Sequence, residues 1–230
     1  MHHLITLLLL FIFLRLGVLG AVLEKLALSS WEIQYGMLML ILLSLVNVRL
    51  CRLRVPPVVA DDTAEGPSLP DRDAGHNERP PAKITIGINL GGAILPLFFG
   101  LYLSRHQPLE LAPLLLLVLL VALVVYPLSR VSGRRGVVVH LAGAIAVAAV
   151  GAVLLGGPHY LVWAYLGGVL GTLLGADLLH LSQLMYQRNA RQRGIFIGGA
   201  GLMDAIFLSG LFAMLTAELL QQHDLLHSLF

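Results

Sequence analysis

Charge is scarce in this chain. Only 12% of its 230 residues are Asp, Glu, Lys or Arg, while 57% are hydrophobic. Soluble domains carry roughly 25% charge, so a water-soluble globular domain is excluded. Cysteine is nearly absent. Cys51 stands alone, which rules out an internal disulfide and a Cys-based metal cluster. No HExxH or Cys/His spacing marks a metal, and no P-loop, GxSxG or dinucleotide fingerprint follows a strand. No cofactor is expected. No alternating pattern of the membrane β-barrel type is evident.

Long apolar runs are what the chain has. A membrane-spanning helix needs about 20 mostly apolar residues. Seven stretches qualify: 4–23, 35–53, 84–104, 109–128, 136–155, 159–185 and 194–220. The expected fold is all-α, a polytopic transmembrane helical bundle of about seven spans. The first stretch lacks a basic leader and is interrupted by Arg15, so it reads as a retained helix rather than a signal peptide.

Positive charge orients such helices. Arg49, Arg52, Arg54, Arg72, Arg79 and Lys83 flank the second connection. Arg130, Arg134 and Arg135 follow the fourth stretch, and Arg188, Arg191 and Arg193 follow the sixth. These alternate connections leave only Arg15, Lys25 and Arg105 elsewhere. The N-terminus is therefore expected in the cytoplasm and the C-terminus outside, in a prokaryotic inner (plasma) membrane. Topology accounts for the basic residues, so no nucleic-acid partner is expected; membrane lipid is.

Three regions follow. Residues 1–54 form a Leu-rich two-helix hairpin that reads as a lipid-facing addition. Residues 55–83 form a cytoplasmic connection rich in Pro and acid, read as disordered. Residues 84–230 form a five-helix core.

Ionisable groups within a bilayer are costly and usually functional. Of 13 acidic residues, six lie in the 55–83 connection. Glu24, Glu32, Glu110, Glu218 and Asp224 fall near helix ends or outside. Asp177 and Asp204 remain. Asp177 is expected ~12 Å from the cytoplasmic end of its helix and Asp204 ~15 Å from the start of the next. Consecutive antiparallel helices place them at one level. Two carboxyl groups in low dielectric share a proton and titrate as a unit. That pair can activate water, carry a proton or hold a cation.

The surroundings fit close packing. Gly167, Gly171 and Gly175 form a stripe that admits a neighbouring helix, with Asp177 well around the helix from it. His180 shares the face of Asp177 one turn nearer the cytoplasm. Gly201 lies one turn before Asp204. In 84–104, Asn89, Gly92 and Pro96 share a face, and Pro96 frees a backbone carbonyl. These residues suit a substrate path, or equally plain helix packing. Asp177, His180 and Asp204 offer metal-donor atoms, but no further deep carboxylate joins them.

The segments GINLGGAILP, GTLLGADLL and GGAGLMDAIFLSG resemble motifs of an uncharacterised prokaryotic integral-membrane family, a domain of unknown function, over residues 84–220. An aspartate on each of two consecutive helices is also similar to the presenilin, signal peptide peptidase and prepilin peptidase group of intramembrane aspartyl proteases. That resemblance implies Asp177 and Asp204 as the catalytic pair and a transmembrane peptide as substrate. Asn89, Gly92, Pro96, His180 and Gly201 are the expected substrate-side residues. The alternatives are a proton- or cation-coupled transporter or channel using the same aspartates, and a structural assembly factor.

Overall fold

The computed structural model describes residues 18–55, 82–105, 107, 109–132, 136–185, 194–199 and 204–227. Most of the first apolar stretch, nearly all of the 55–83 connection and Gly201 lie outside the described residues. The chain is mostly helical. In order come α1 Val18–Lys25, α2 Ser30–Ser44, β1 Asn47–Val55 and β2 Ala82–Asn89. A π-helical turn, Leu90–Ile94, leads into α3 Leu95–Ser104, followed by α4 Leu111–Leu128. The strands β3 Ser129–Ser132 and β4 Gly136–Val139 form a hairpin before α5 Leu141–Leu155. Then come α6 Tyr160–Thr172, a second π segment Leu173–Leu178, α7 Leu181–Met185, β5 Ile195–Ile197 and α8 Ala205–His227.

Three helical stretches are long and apolar enough to cross a membrane: Leu111–Leu128, Gly157–Leu178 and Ala205–Gln222. The other expected spans that are described are shorter. The 35–53 stretch stops being helical at Ser44 and continues as β1. The 84–104 and 136–155 stretches begin as β2 and β4. The strands correct the all-α expectation. Their cause is local: β2 reads AKITIGIN, β-branched on alternate positions, and β1 interleaves Arg with Val and Leu.

At the centre lies α6, with α3, α4, α5 and α8 packed around it. Within Gly157–Leu178, 72% of the span is buried, against 33% for Leu111–Leu128. The outer helix α4 instead exposes Leu111, Leu115, Leu119 and Leu123, an apolar ridge compatible with a membrane span. Glycines set the central spacing. A Cβ on Gly171 would sit 2.5 Å from Val121, and one on Gly175 would sit 2.7 Å from the Ala122 carbonyl oxygen. The expected stripe thus admits α4.

On another side, Gly168 meets α8. A Cβ there would lie 2.8 Å from the Ser209 carbonyl oxygen, and the Ser209 hydroxyl donates to the Gly168 carbonyl at 2.9 Å. Backbone cannot yield as a side-chain tip can. Gly168→Val is therefore expected to force α6 and α8 apart and cost about 1–3 kcal/mol. For a chain of this size that lowers Tm by roughly 2–4 °C per kcal/mol. Gly36→Ala is the control: nothing lies within 4 Å of the added Cβ. Fluorimetric melting of both variants checks the prediction, and equal Tm values would refute it.

The N-terminal hairpin divides in two. Val18 and Val22 are fully buried, and α1 packs on α8. It belongs to the packed body, where a lipid-facing addition was expected. Helix α2 fits that expectation better, with Leu38, Met39, Ile41 and Leu42 exposed. Its start is fixed by a capping box: Ser29 Oγ accepts from the Glu32 N–H, and Glu32 accepts from the Ser29 N–H.

The strands gather at one end of the bundle. The three-stranded sheet has the order β1-β2-β5, with β1 antiparallel and β5 parallel to β2. Ile84, Ile195 and Leu184 form a small core beneath it, joined by Val131 and Val137 of the hairpin and by Leu181 and Met185 of α7. The sheet thus stands over the end of the bundle to which Asp177 and Asp204 belong.

Candidate functional site

Both aspartates sit where regular helix gives way. Asp177 lies in the π segment that ends the central span. Such segments occur often at functional sites because the extra residue turns side chains out of the usual helical register. Asp204 immediately precedes α8. Its Oδ1 accepts from the Ile206 N–H at 3.0 Å, and its carbonyl accepts from the Leu208 N–H at 3.0 Å. It is therefore the N-cap of α8. The expected depth of ~15 Å inside a helix starting at 194 is corrected. Ile195, Phe196 and Ile197 are β5, and the helix begins at Ala205. The level shared by the two aspartates is the end of the bundle rather than its middle.

The turn after β5 joins them. Gly198 has φ +69°, a conformation costly for any side chain. A Cβ there would also lie 2.7 Å from both the backbone nitrogen and Cβ of Ala93. The turn therefore seats directly on the first π turn. Its Gly198 N–H donates to the Asp177 carboxyl group, and the Asp177 and Asp204 charges act on each other across the site. Asp204 is buried and Asp177 half-buried. The two acids lie within electrostatic reach of each other.

The other expected residues surround this point with distinct contacts. Asn89 is fully buried. Its Nδ2 donates to the Ser44 carbonyl (2.8 Å) and to Asn47 Oδ1 (3.1 Å), and its Oδ1 accepts from the Gly92 N–H (2.7 Å). Asn89 thus caps the π turn on which Gly198 rests. Gly92 lies within that contact, its carbonyl carbon 2.8 Å from where a Gly198 Cβ would be. Pro96 is one turn further on, and its carbonyl accepts from the Tyr165 hydroxyl at 3.1 Å. His180 is buried with its ring 4.7 Å from that of Tyr126. Its Nδ1 lies 3.1 and 3.0 Å from the Gly175 and Ala176 carbonyl oxygens of the second π segment. It braces the backbone that carries Asp177. Among the described residues no three His, Cys, Asp or Glu side chains gather to hold a metal.

One family matches the sequence, described as Protein of unknown function (DUF1614), over residues 41–216. The chain belongs to the DUF1614 family. The matched region contains the sheet, both π segments and both aspartates. No curated protein and no solved structure matches the DUF1614 chain.

A second polar cluster lies at the opposite end of the central helices, with three of its four members outside the family match. Glu218, in the last turns of the third span, is fully buried. Lys25 Nζ donates to both its oxygens at 2.8 and 2.9 Å. The Tyr160 hydroxyl donates at 2.5 Å and Gln222 Nε2 at 2.9 Å. Its place near the end of an apolar stretch makes Glu218 read as peripheral in the sequence. The signal available was its composition: a lone carboxylate in LTAELL, with Gln222 one helical turn on.

Proposed function

We propose that Asp177 and Asp204 form a carboxyl dyad that hydrolyses a peptide bond of a membrane-embedded substrate. The observation that carries this reading is their proximity: the Gly198 N–H holds the Asp177 carboxyl group, the α8 terminus holds that of Asp204, and the two charges act on each other. One proton is shared between two such groups. The ionised partner takes a proton from water, whose oxygen bonds to the peptide carbonyl carbon. The neutral partner gives its proton to the carbonyl oxygen. Collapse of the resulting diol breaks the C–N bond: the amine leaves with the proton taken from water, and one diol hydroxyl returns its proton to the other carboxylate, which restores the singly protonated dyad.

The likeness to presenilin-type proteases supports the same reading. In those proteases the aspartates lie on two consecutive membrane helices; here Asp177 lies at the end of one candidate span and Asp204 at the start of the next. Here the second follows a glycine-rich turn. The three helices able to span a bilayer agree with a polytopic inner-membrane protein, and we read the sheet end as cytoplasmic because Arg49, Arg52, Arg54 and Lys83 lie on it. Strand β5 pairs with β2 along one side and runs into Gly198. An extended peptide added along its other side would pass the dyad, with main-chain hydrogen bonds holding it.

Photolabelling tests the reading. A hydroxyethylene transition-state-analogue probe is expected to label the purified chain, and labelling is expected to vanish in Asp177→Asn and in Asp204→Asn. Absence of labelling, with proton- or cation-dependent flux through reconstituted liposomes, would replace the protease by a transporter.

A further inference from the structure

We propose that the hydroxyl of Thr172 holds the water that the aspartate pair activates. The inference rests on the dyad reading and adds a third polar group to it. Thr172 ends α6 and is fully buried. Its Oγ1 has no hydrogen-bond partner among the described residues. A threonine within a helix normally bonds a carbonyl one turn back. One turn back is Gly168, whose carbonyl already accepts from the Ser209 hydroxyl at 2.9 Å. The Thr172 hydroxyl is thereby left over. Leaving a buried hydroxyl unbonded is costly, so such a group calls for a partner.

Two independent observations place that hydroxyl at the dyad. The first is its level along α8. Tyr160 reaches Glu218 at one end of the α6–α8 contact, and Gly168 meets Ser209 and Gly210 further along. The two helices are therefore antiparallel. Tyr165, Gly168 and Val169 all lie against Ser209 or Gly210, which defines the face of α6 turned to α8. Thr172 is on that face, one turn beyond Gly168. One turn back from Ser209 along α8 is Ala205, beside Asp204.

The second observation is the π segment Leu173–Leu178, which Thr172 caps. In a regular α-helix, residues five apart stand about 140° from each other around the axis. A π turn bonds residue i to i+5, so residues five apart come nearly into line. Asp177 is five residues after Thr172, and the π segment swings it toward the Thr172 side. The hydroxyl thus stands at the level of Asp204 and on the side of α6 to which Asp177 turns.

A buried water makes about three hydrogen bonds, and this set offers three groups for one. The Thr172 hydroxyl donates to the water oxygen and keeps its own proton throughout. One water proton passes to the ionised aspartate. The oxygen's other lone pair bonds to the peptide carbonyl carbon. The carbonyl π pair moves onto its oxygen, which takes the proton of the neutral aspartate. A third point of attachment fixes where the attacking lone pair aims.

Thr172→Val and Thr172→Ser test the assignment, on the full chain in reconstituted membranes. The readouts are cleavage of a single-span reporter peptide, labelling by the hydroxyethylene probe, and Tm. Val keeps the shape of Thr without its hydroxyl. It is expected to lower kcat about 10²-fold with KM unchanged, because the water and not the peptide is misplaced. Its Tm is expected to hold or rise, since no hydrogen bond is lost. Labelling is expected to persist in Thr172→Val, because the probe's hydroxyl takes the place of the water. Ser is expected to restore most of the rate. A Val variant as active as the wild type overturns the inference and leaves the dyad reading standing. So does a fall in Tm that Ser repairs, which would make the hydroxyl a structural bond. Loss of labelling together with turnover in Thr172→Val also overturns it, since Thr172 would then hold the dyad itself. A wild type that neither cleaves nor takes the probe overturns the dyad reading and this inference with it.

Discussion

Asp177→Asn and Asp204→Asn, made singly, are each expected to lower cleavage of a single-span reporter peptide by about 10²–10⁴-fold, while the protein stays folded. The substitution is nearly isosteric, and the argument for retained structure is specific at each position. At 177 an amide oxygen still accepts from the Gly198 N–H. At 204 Asn caps a helix about as well as Asp, so the bond to Ile206 survives. Removing one of two facing carboxyl groups also removes like-charge repulsion, so Tm is expected to hold or rise. Asp204→Ala differs: it loses the cap as well, at about 0.5–2 kcal/mol. These variants separate the two jobs of Asp204. If Asn retains full turnover and Ala loses stability, Asp204 is only a cap. If Asn keeps the fold but abolishes turnover, the carboxyl group itself is needed. Single-turnover cleavage in reconstituted membranes, beside melting curves, reads both.

The proximity of Asp177 and Asp204 is legible in the sequence because it depends on coarse features. Two consecutive apolar stretches are joined by a basic segment, and no other acids stay clear of helix ends and connections. The details were not legible, for identifiable reasons. Ile195, Phe196 and Ile197 are as apolar as any helix, and the glycines at 194 and 198, with φ of +80° and +69°, bracket them as a strand. The strand β1 hides its alternation because the bulge at Leu50 breaks the period in VRLCRLR. A window of hydropathy averages over such a pattern and extends α2 through it. The role of Asn89 was equally hidden. Its partners Ser44 and Asn47 are 45 and 42 residues away, so its place under the Gly198 turn arises only once the sheet has formed.

Lys25→Met is expected to cost more than Glu218→Gln, although both break the same pair. Glu218 is fully buried, and the Lys25 side chain is 44% exposed. Glu218→Gln removes the charge that needed burial, and Lys25 can turn its ammonium toward solvent. What is lost are charge-assisted hydrogen bonds worth about 1.5–3 kcal/mol. Lys25→Met instead leaves a carboxylate in the interior with only Tyr160 and Gln222 as donors. Stranding a buried charge costs about 3–5 kcal/mol, and the exposure of Lys25 places the expected value near the lower end. At roughly 2–4 °C per kcal/mol, Tm falls by about 10 °C. The double variant Lys25→Met/Glu218→Gln is expected to recover much of that loss, because no charge is then left unpaired. A double-mutant cycle gives the coupling directly, and a value below about 0.5 kcal/mol would show that the pair does not hold α1 in place. The result bears on more than stability. Lys25 and Glu218 both fall outside residues 41–216 of the family match, yet they clamp α1 to α8 at one end while Asp204 caps α8 at the other. A strong coupling would make α1 part of the body that holds Asp204 against Asp177.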